Sequence, residues 1–287
     1  MSTDNKVTDK MIMVKLRCSY DTGSRTSQSE SDKLTEDKNC ASSMLSVRVK
    51  MFGRMMTGLF SSSLSALRGY YNGHTLPWDE RGWRVISSKK FKQFKDTLEE
   101  RIANLDEAFE KTFIDKYDVH KEYYENNKGD LDQDFPTKQE MRDGYKIEYD
   151  IGAVASTSDI RIQGIDQEAR RELKESMEKQ NEAKIKNGLS DIATRLSEAT
   201  KDIGDRTSSE DQHGKKYKRS LENLDSLTDI VEDLNLTGDQ RIKEACKSIK
   251  ENICQYSSEA IKTTEIIRKN VNRDANNIAE MLDQITL

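Results

Sequence analysis

A stripe of apolar residues at three- and four-residue steps runs from Ile242 to Ile285 and leaves few folds open to this chain. Its members are Ile242, Cys246, Ile249, Ile253, Tyr256, Ala260, Thr264, Ile267, Val271, Ala275, Ile278, Leu282 and Ile285. One face of an α-helix recurs every 3.6 residues, so this stripe predicts a long amphipathic helix, opened by Thr237-x-x-Gln240. The spacing approaches a heptad repeat, the pattern of helices that pack against one another along their length.

The same period recurs upstream. Leu45, Val49, Phe52, Met56, Leu59, Phe60, Leu64 and Leu67 predict an amphipathic helix within 41–78, a stretch with no Asp or Glu. Phe91, Phe94, Leu98, Ile102, Leu105, Phe109, Phe113, Tyr117, His120 and Tyr124 predict one helix over 88–128, ended by Gly129. Asp166 caps a helix that runs through Leu173, Met177, Leu189, Ile192, Leu196 and Ile203 to a polar break at 204–214, followed by Leu221, Leu224, Leu227, Val231 and Leu234. Thr137-x-x-Glu140 is a capping box for a short helix.

Two stretches depart from the helical period. Residues 10–20 alternate apolar and polar, with Ile12, Val14, Leu16 and Cys18 on one face, as a half-buried strand does. Residues 146–163 also lose the period and read as one or two strands, expected to pair with 10–20. Residues 21–40 are rich in Ser, Thr and Asp, which predicts a flexible loop.

Composition agrees with narrow apolar seams and a large solvated surface. Of 287 residues, 34% are hydrophobic and 34% charged, whereas globular domains average roughly 45–50% apolar residues. With 2 Pro and 14 Gly, a loop-rich β-sandwich is disfavoured. Formal charge is −5 from 47 basic and 52 acidic residues. No leader-like apolar segment opens the sequence, and no run of 18 apolar residues predicts a transmembrane helix. Cys18, Cys40, Cys246 and Cys254 show no C-x-x-C pairing and read as reduced packing residues.

Catalytic patterns are missing from the sequence. His74, His120 and His213 stand at no zinc-ligand spacing. Asp130, Asp132 and Asp134 imitate a calcium loop, but Phe135 replaces its glycine and Met141 its bidentate Glu. Neither phosphate-cradling glycine motif nor a G-x-S-x-G elbow occurs. The sequence therefore predicts a protein that is not an enzyme and takes no cofactor or metal.

Three surfaces are candidates for binding. The C-terminal seam, with Ile267, Val271, Ile278 and Leu282, is the expected association face. Segment 44–67, with Phe52, Met55, Met56, Leu59 and Phe60, reads first as the central buried helix of the bundle, while its basic and apolar faces also suit a partner groove or an anionic membrane. Lys215, Lys216, Lys218 and Arg219 form a patch that could follow phosphates. Net acidity makes nucleic acid the weakest of these readings.

The turn Tyr71-x-x-x-Thr75-Leu76-Pro77-Trp78, followed by Gly82-x-Arg84-x-Ile86, has a physical reading of its own. Trp78 and Trp83 bring large apolar area to a helix junction, as anchors or as a partner hot spot. In this order, with Phe109-x-x-x-Phe113-x-x-x-Tyr117, Asp159-x-Arg161 and Asn235-Leu236-Thr237-Gly238-Asp239, the chain resembles a group of uncharacterised proteins encoded by tailed bacteriophages and prophages. The resemblance implies a setting, the cytoplasm of an infected bacterium or a virion, and assigns no residue a role.

The combined expectation is a mainly α fold, an elongated antiparallel helical bundle or coiled coil with a small β element joining 10–20 to 146–163. Residues 1–165 would form an N-terminal region and 166–287 a helical coiled-coil region. The expected function is a non-enzymatic phage interaction or assembly protein, forming a homo-oligomer or binding a phage or host protein. A membrane-active protein releasing 44–67 is the alternative, and a nucleic-acid accessory protein the second alternative.

Overall fold

The computed structural model describes residues 7–21, 23–53, 57–155, 166–208 and 217–285. It is mainly helical with a small antiparallel sheet. Two compact units share the chain: Met1–Lys15, Asn72–Phe94 and Asp150–Leu287 form the first, Leu16–Tyr71 and Lys95–Tyr149 the second. These are not the sequence regions 1–165 and 166–287. Leu76, Trp78 and Val85 belong to the same core as Ile192 and Leu196, which draws an early segment into the C-terminal unit.

The four-stranded sheet has the order β4-β5-β1-β6, with β1 at Met11–Ser19, β4 at Leu76–Pro77, β5 at Arg84–Ser87 and β6 at Lys146–Ala153. β1 is antiparallel to β5, with Met11 opposite Ser87 and Val14 opposite Arg84. The 10–20 strand and its neighbour in 146–163 are therefore present, β6 ending at Ala153; 156–165 lie outside the described residues. Burial along β1 does not simply alternate: Met11 and Val14 are buried while Ile12 and Leu16 are half-buried. Pro77 lies on the edge strand, where its missing N–H costs no ladder bond.

In the second unit, the expected loop at 21–40 is instead strand β2 (Ser24–Ser27) and helix α1 (Gln28–Lys38). β2 pairs antiparallel with β3 (Val47–Lys50), Ser27 lying opposite Val47. Polar capping substitutes for an apolar stripe in α1. Ser27 Oγ accepts the Glu30 N–H, Ser31 Oγ donates to the Ser27 carbonyl, and Asn39 ends the helix at φ 49°.

The single amphipathic helix expected within 41–78 is also corrected. β3 takes Val47 and Val49, β-branched residues alternating with Arg48 and Lys50, and helix α2 occupies Gly58–Gly73. α2 buries Phe60, Leu64, Leu67 and Tyr71.

The expected helix over 88–128 divides into α3 (Phe91–Phe109), a π-helical turn (Glu110–Ile114) and α4 (Tyr117–Asn127). In the short helix α5 (Lys138–Gly144), the Thr137–Glu140 capping box is formed as the sequence indicates.

In the first unit, α6 (Gln167–Ser208) has 42 residues, a length of about 63 Å at 1.5 Å per residue. It continues past the expected break at 204, and 209–216 lie outside the described residues. α7 (Lys218–Leu234) follows, then α8 (Gln240–Ile249) with a π-helical turn at Lys250–Cys254.

The long C-terminal helix is broken twice more, into α9 (Ser258–Thr263) and α10 (Glu265–Asp283). Ser257 caps α9 by accepting the Ala260 N–H, and Thr264 is extended at φ −111°, ψ 105°. Asp239 rather than Thr237 caps α8.

α10 runs antiparallel to α6. Ser197 Oγ donates to Asp283 Oδ1 at 2.7 Å, and Asn272 Nδ2 to the Gly204 carbonyl at 2.7 Å. As position rises along one helix it falls along the other. Ile192, Leu196 and Ile203 of α6 share a core with Leu224, Val231, Ile242, Ile249, Val271 and Leu282.

Candidate interaction surface

α6 has two halves with different surroundings. From Gly188 onward its inner face is buried, whereas none of Asp166–Asn187 is buried. Asp166 Oδ1 accepts the Ala169 N–H at 2.8 Å. Arg171 reaches Glu168 at 3.8 Å and Glu175 at 3.9 Å, exposed contacts that each add only tenths of a kcal/mol to a helix. Leu173, Met177 and Ile185 are half-buried.

Gly188 marks the transition. A Cβ there would lie 3.3 Å from Leu76 Cδ1, so glycine lets the turn after α2 approach the helix.

That turn is held from both sides. Arg84 Nε donates to Thr75 Oγ1 at 2.6 Å, and Arg84 also donates to the Thr75 carbonyl at 2.7 Å. Arg195 of α6 donates to the carbonyls of Gly73 and Thr75, at 3.1 and 3.2 Å. Asp79 Oδ1 accepts the N–H groups of Arg81 and Trp83, each at 3.0 Å, and Gly82 takes φ +86°. Aspartate and glycine are suited to such a reversal, one closing its own backbone turn and the other adopting positive φ without strain.

Between this turn and α6 lies an open cleft of about 800 Å³, lined by Pro77, Trp78, Asp79, Glu80, Arg81, Gln180, Lys184 and Asn187. Its walls offer both charges and two amides over a Pro–Trp floor. Lys184 Nζ lies 5.0 Å from the Trp78 ring centroid, a cation–π contact at the rim. Groups of this kind suit the backbone and polar side chains of a protein segment.

The sequence-predicted residues scatter. Trp78 is buried beneath Lys184 as an anchor; Trp83 is half-buried in the same core. Val271 and Leu282 have no exposure, Ile278 is buried and Ile267 half-buried, all packed within their own chain. In this structure the seam expected as an association face is covered by the chain's own helices.

Phe52 and Phe60 are buried in the second unit, while Leu59 is 57% exposed. Met55 and Met56 lie outside the described residues, as do Lys215 and Lys216. Lys218 and Arg219 are exposed at the start of α7. They line a cleft with Lys262, but Glu222 and Glu259 share it, and Lys218 pairs with Glu222 at 3.8 Å. That mixture does not select phosphate.

Sequence reasoning placed the turn through Gly82 but gave Asp79 no role in it, and did not single out Gln180, Lys184 or Asn187. Asp79 three residues before Gly82, and Gly188 interrupting a helix, were the available signals.

Elsewhere, burial pushes the Cys246 thiol up to about 12 and Cys254 to about 11, which keeps both protonated and unreactive at neutral pH. Among the described residues, no cluster of three His, Cys, Asp or Glu could hold a metal, and no helix is long and apolar enough to cross a membrane. Comparison with protein-family models, curated proteins and solved structures gives no match for this chain.

Proposed function

We propose that this chain is a non-enzymatic interaction or assembly protein whose contact surface is the first half of α6 together with the cleft beside Trp78. The antiparallel α6–α10 pair, with α7 and α8, acts in this reading as a helical bundle that fixes the surface. The observation that carries it is the absence of any buried residue over Asp166–Asn187 in a helix of 42 residues. Isolated helices shorter than ~12–15 residues are marginal in water, and most helical stability comes from packing one face. A stretch of α6 whose apolar residues are at most half-buried gains its further support, in this reading, from what docks on it.

The partner is a second copy or a phage or host protein, in the infected-cell setting that the Thr-Leu-Pro-Trp turn suggests. Light scattering after size-exclusion chromatography, across a wide concentration range, tests the self-associating form. A discrete oligomer that Leu173→Glu with Met177→Glu reduces to monomer supports it. An oligomer unchanged by that pair, or a monomer throughout, rules out self-association through α6.

A further inference from the structure

We propose that His120 is an acid-operated latch in the second unit: a proton taken up at its Nδ1 opens the aromatic core that Phe52 and the π-helical turn close around it. His120 has no exposure. Its Nε2 lies 2.7 Å from the carbonyl of Thr112, inside the π-helical turn Glu110–Ile114. A carbonyl can only accept, so Nε2 carries the hydrogen and the neutral ring presents Nδ1 as a bare lone pair.

Nδ1 has no hydrogen-bond partner among the described residues, and neither has the buried Thr112 hydroxyl. The Phe52 ring meets the imidazole edge-on at 5.2 Å between centroids, and Phe113 stacks on it at 6.0 Å. Phe135 closes the cluster against Phe52 at 5.5 Å.

Protonation takes one H⁺ from solvent and converts Nδ1 into a charged N–H with no hydrogen-bond acceptor among the described residues. Burying such a group costs several times a lost neutral hydrogen bond. The groups facing the ring are Phe52 from the segment after β3, and Thr112 and Phe113 from the π-helical turn. The charge bearing on it is Lys116, one turn earlier on its own helix, which also opposes protonation. Burial, first, and then Lys116 hold the imidazole below its ordinary value of 6.5, against the opposing effect of the Thr112 hydrogen bond.

The sign follows. The unfolded chain binds more protons than the folded one between the two values. The stability His120 gives is complete above about pH 6.5, falls as pH drops below it, and stops falling below the folded value. The π-helical turn supplies the moving part, because one of its carbonyls is committed to the ring that must leave.

The test uses the full chain with ¹³C-labelled histidine, titrated by NMR, and amide exchange read by mass spectrometry from about pH 7.5 to about pH 5. The expected result is a His120 midpoint below 6.5. With it, protection corrected for intrinsic rate falls by roughly tenfold per unit of separation between folded and unfolded midpoints, across α2, the π-helical turn and α4. Ile192–Ile203 should not follow. His120→Gln, whose amide still donates to Thr112 but does not titrate, should lose the effect, and His74→Gln should keep it. A His120 midpoint at or above 6.5, unchanged protection down to pH 5, or the same loss in His120→Gln would overturn the latch. Should His120→Gln not fold, the titration and exchange of the native chain decide alone.

Discussion

Replacing Leu282 by Ala probes whether the C-terminal seam closes inside one chain. Leu282 has no exposure and lies in the core shared by α6 and α10, one residue before Asp283, which receives Ser197 and Lys201 at 2.7 Å each. Truncating a fully buried leucine costs about 3 kcal/mol, within the usual range of roughly 2–5. Against a total stability of about 5–15 kcal/mol this is a large share. For a unit of this size it lowers the unfolding temperature by about 6–12 °C.

The assay is urea and thermal unfolding of both proteins over about a hundredfold range of concentration, because only an interface between copies makes the midpoint concentration-dependent. If the seam joined two copies, the same 3 kcal/mol would appear as roughly 150-fold weaker association. A cost under about 0.5 kcal/mol, the level of ordinary surface changes, or a midpoint that still rises with concentration once Leu173→Glu and Met177→Glu have removed the proposed α6 contact, would refute the internal seam.

Other outcomes follow from single contacts. Gly23 has φ +60°, and an added Cβ would sit 2.1 Å from the Phe52 ring, so Gly23→Ala should destabilise the second unit by about 3 kcal/mol or more in urea unfolding. Gly204→Ala should do the reverse: its Cβ would meet the end of the exposed Asn276 side chain at 2.9 Å, which can swing away, and α6 gains up to about 1 kcal/mol in helix propensity. Arg195→Met removes two charged donors from the Gly73 and Thr75 carbonyls and should cost about 2 kcal/mol, with faster amide exchange in the 75–83 turn. Asp21 is held below the usual carboxylate range by its hydrogen bond to Arg25, so its contribution is present above about pH 4 and lost as pH falls through its folded value. Asp21→Asn should flatten the acid limb of the stability curve.

Where apolar residues recur at regular steps, the sequence was legible. The helical period at Ile192, Leu196 and Ile203, and again at Leu224 and Val231, marks residues that are buried. The capping box at Thr137 likewise carries its own signal. Misreadings came where polar contacts override the period. α1 has almost no apolar stripe and stands on Ser27, Ser31 and Asn39, yet Ser27-x-x-Glu30 was a readable start signal. Val47 and Val49 fit a helical stripe as well as a strand, and pairing with β2 decides for the strand. Thr264 occupies a seam position but turns extended and divides the C-terminal helix. The cleft could not be read from period at all, because its walls come from residues about a hundred positions apart.

Amide exchange along α6 of the native chain is the most direct measurement. In dilute solution Ile192–Ile203 should be strongly protected and Gln167–Asn187 weakly so. At high concentration, or with its partner bound, the first half should gain protection while the second stays as it was. Protection of Gln167–Asn187 equal to that of Ile192–Ile203 in dilute solution would mean that the chain itself covers the surface, and would contradict the account.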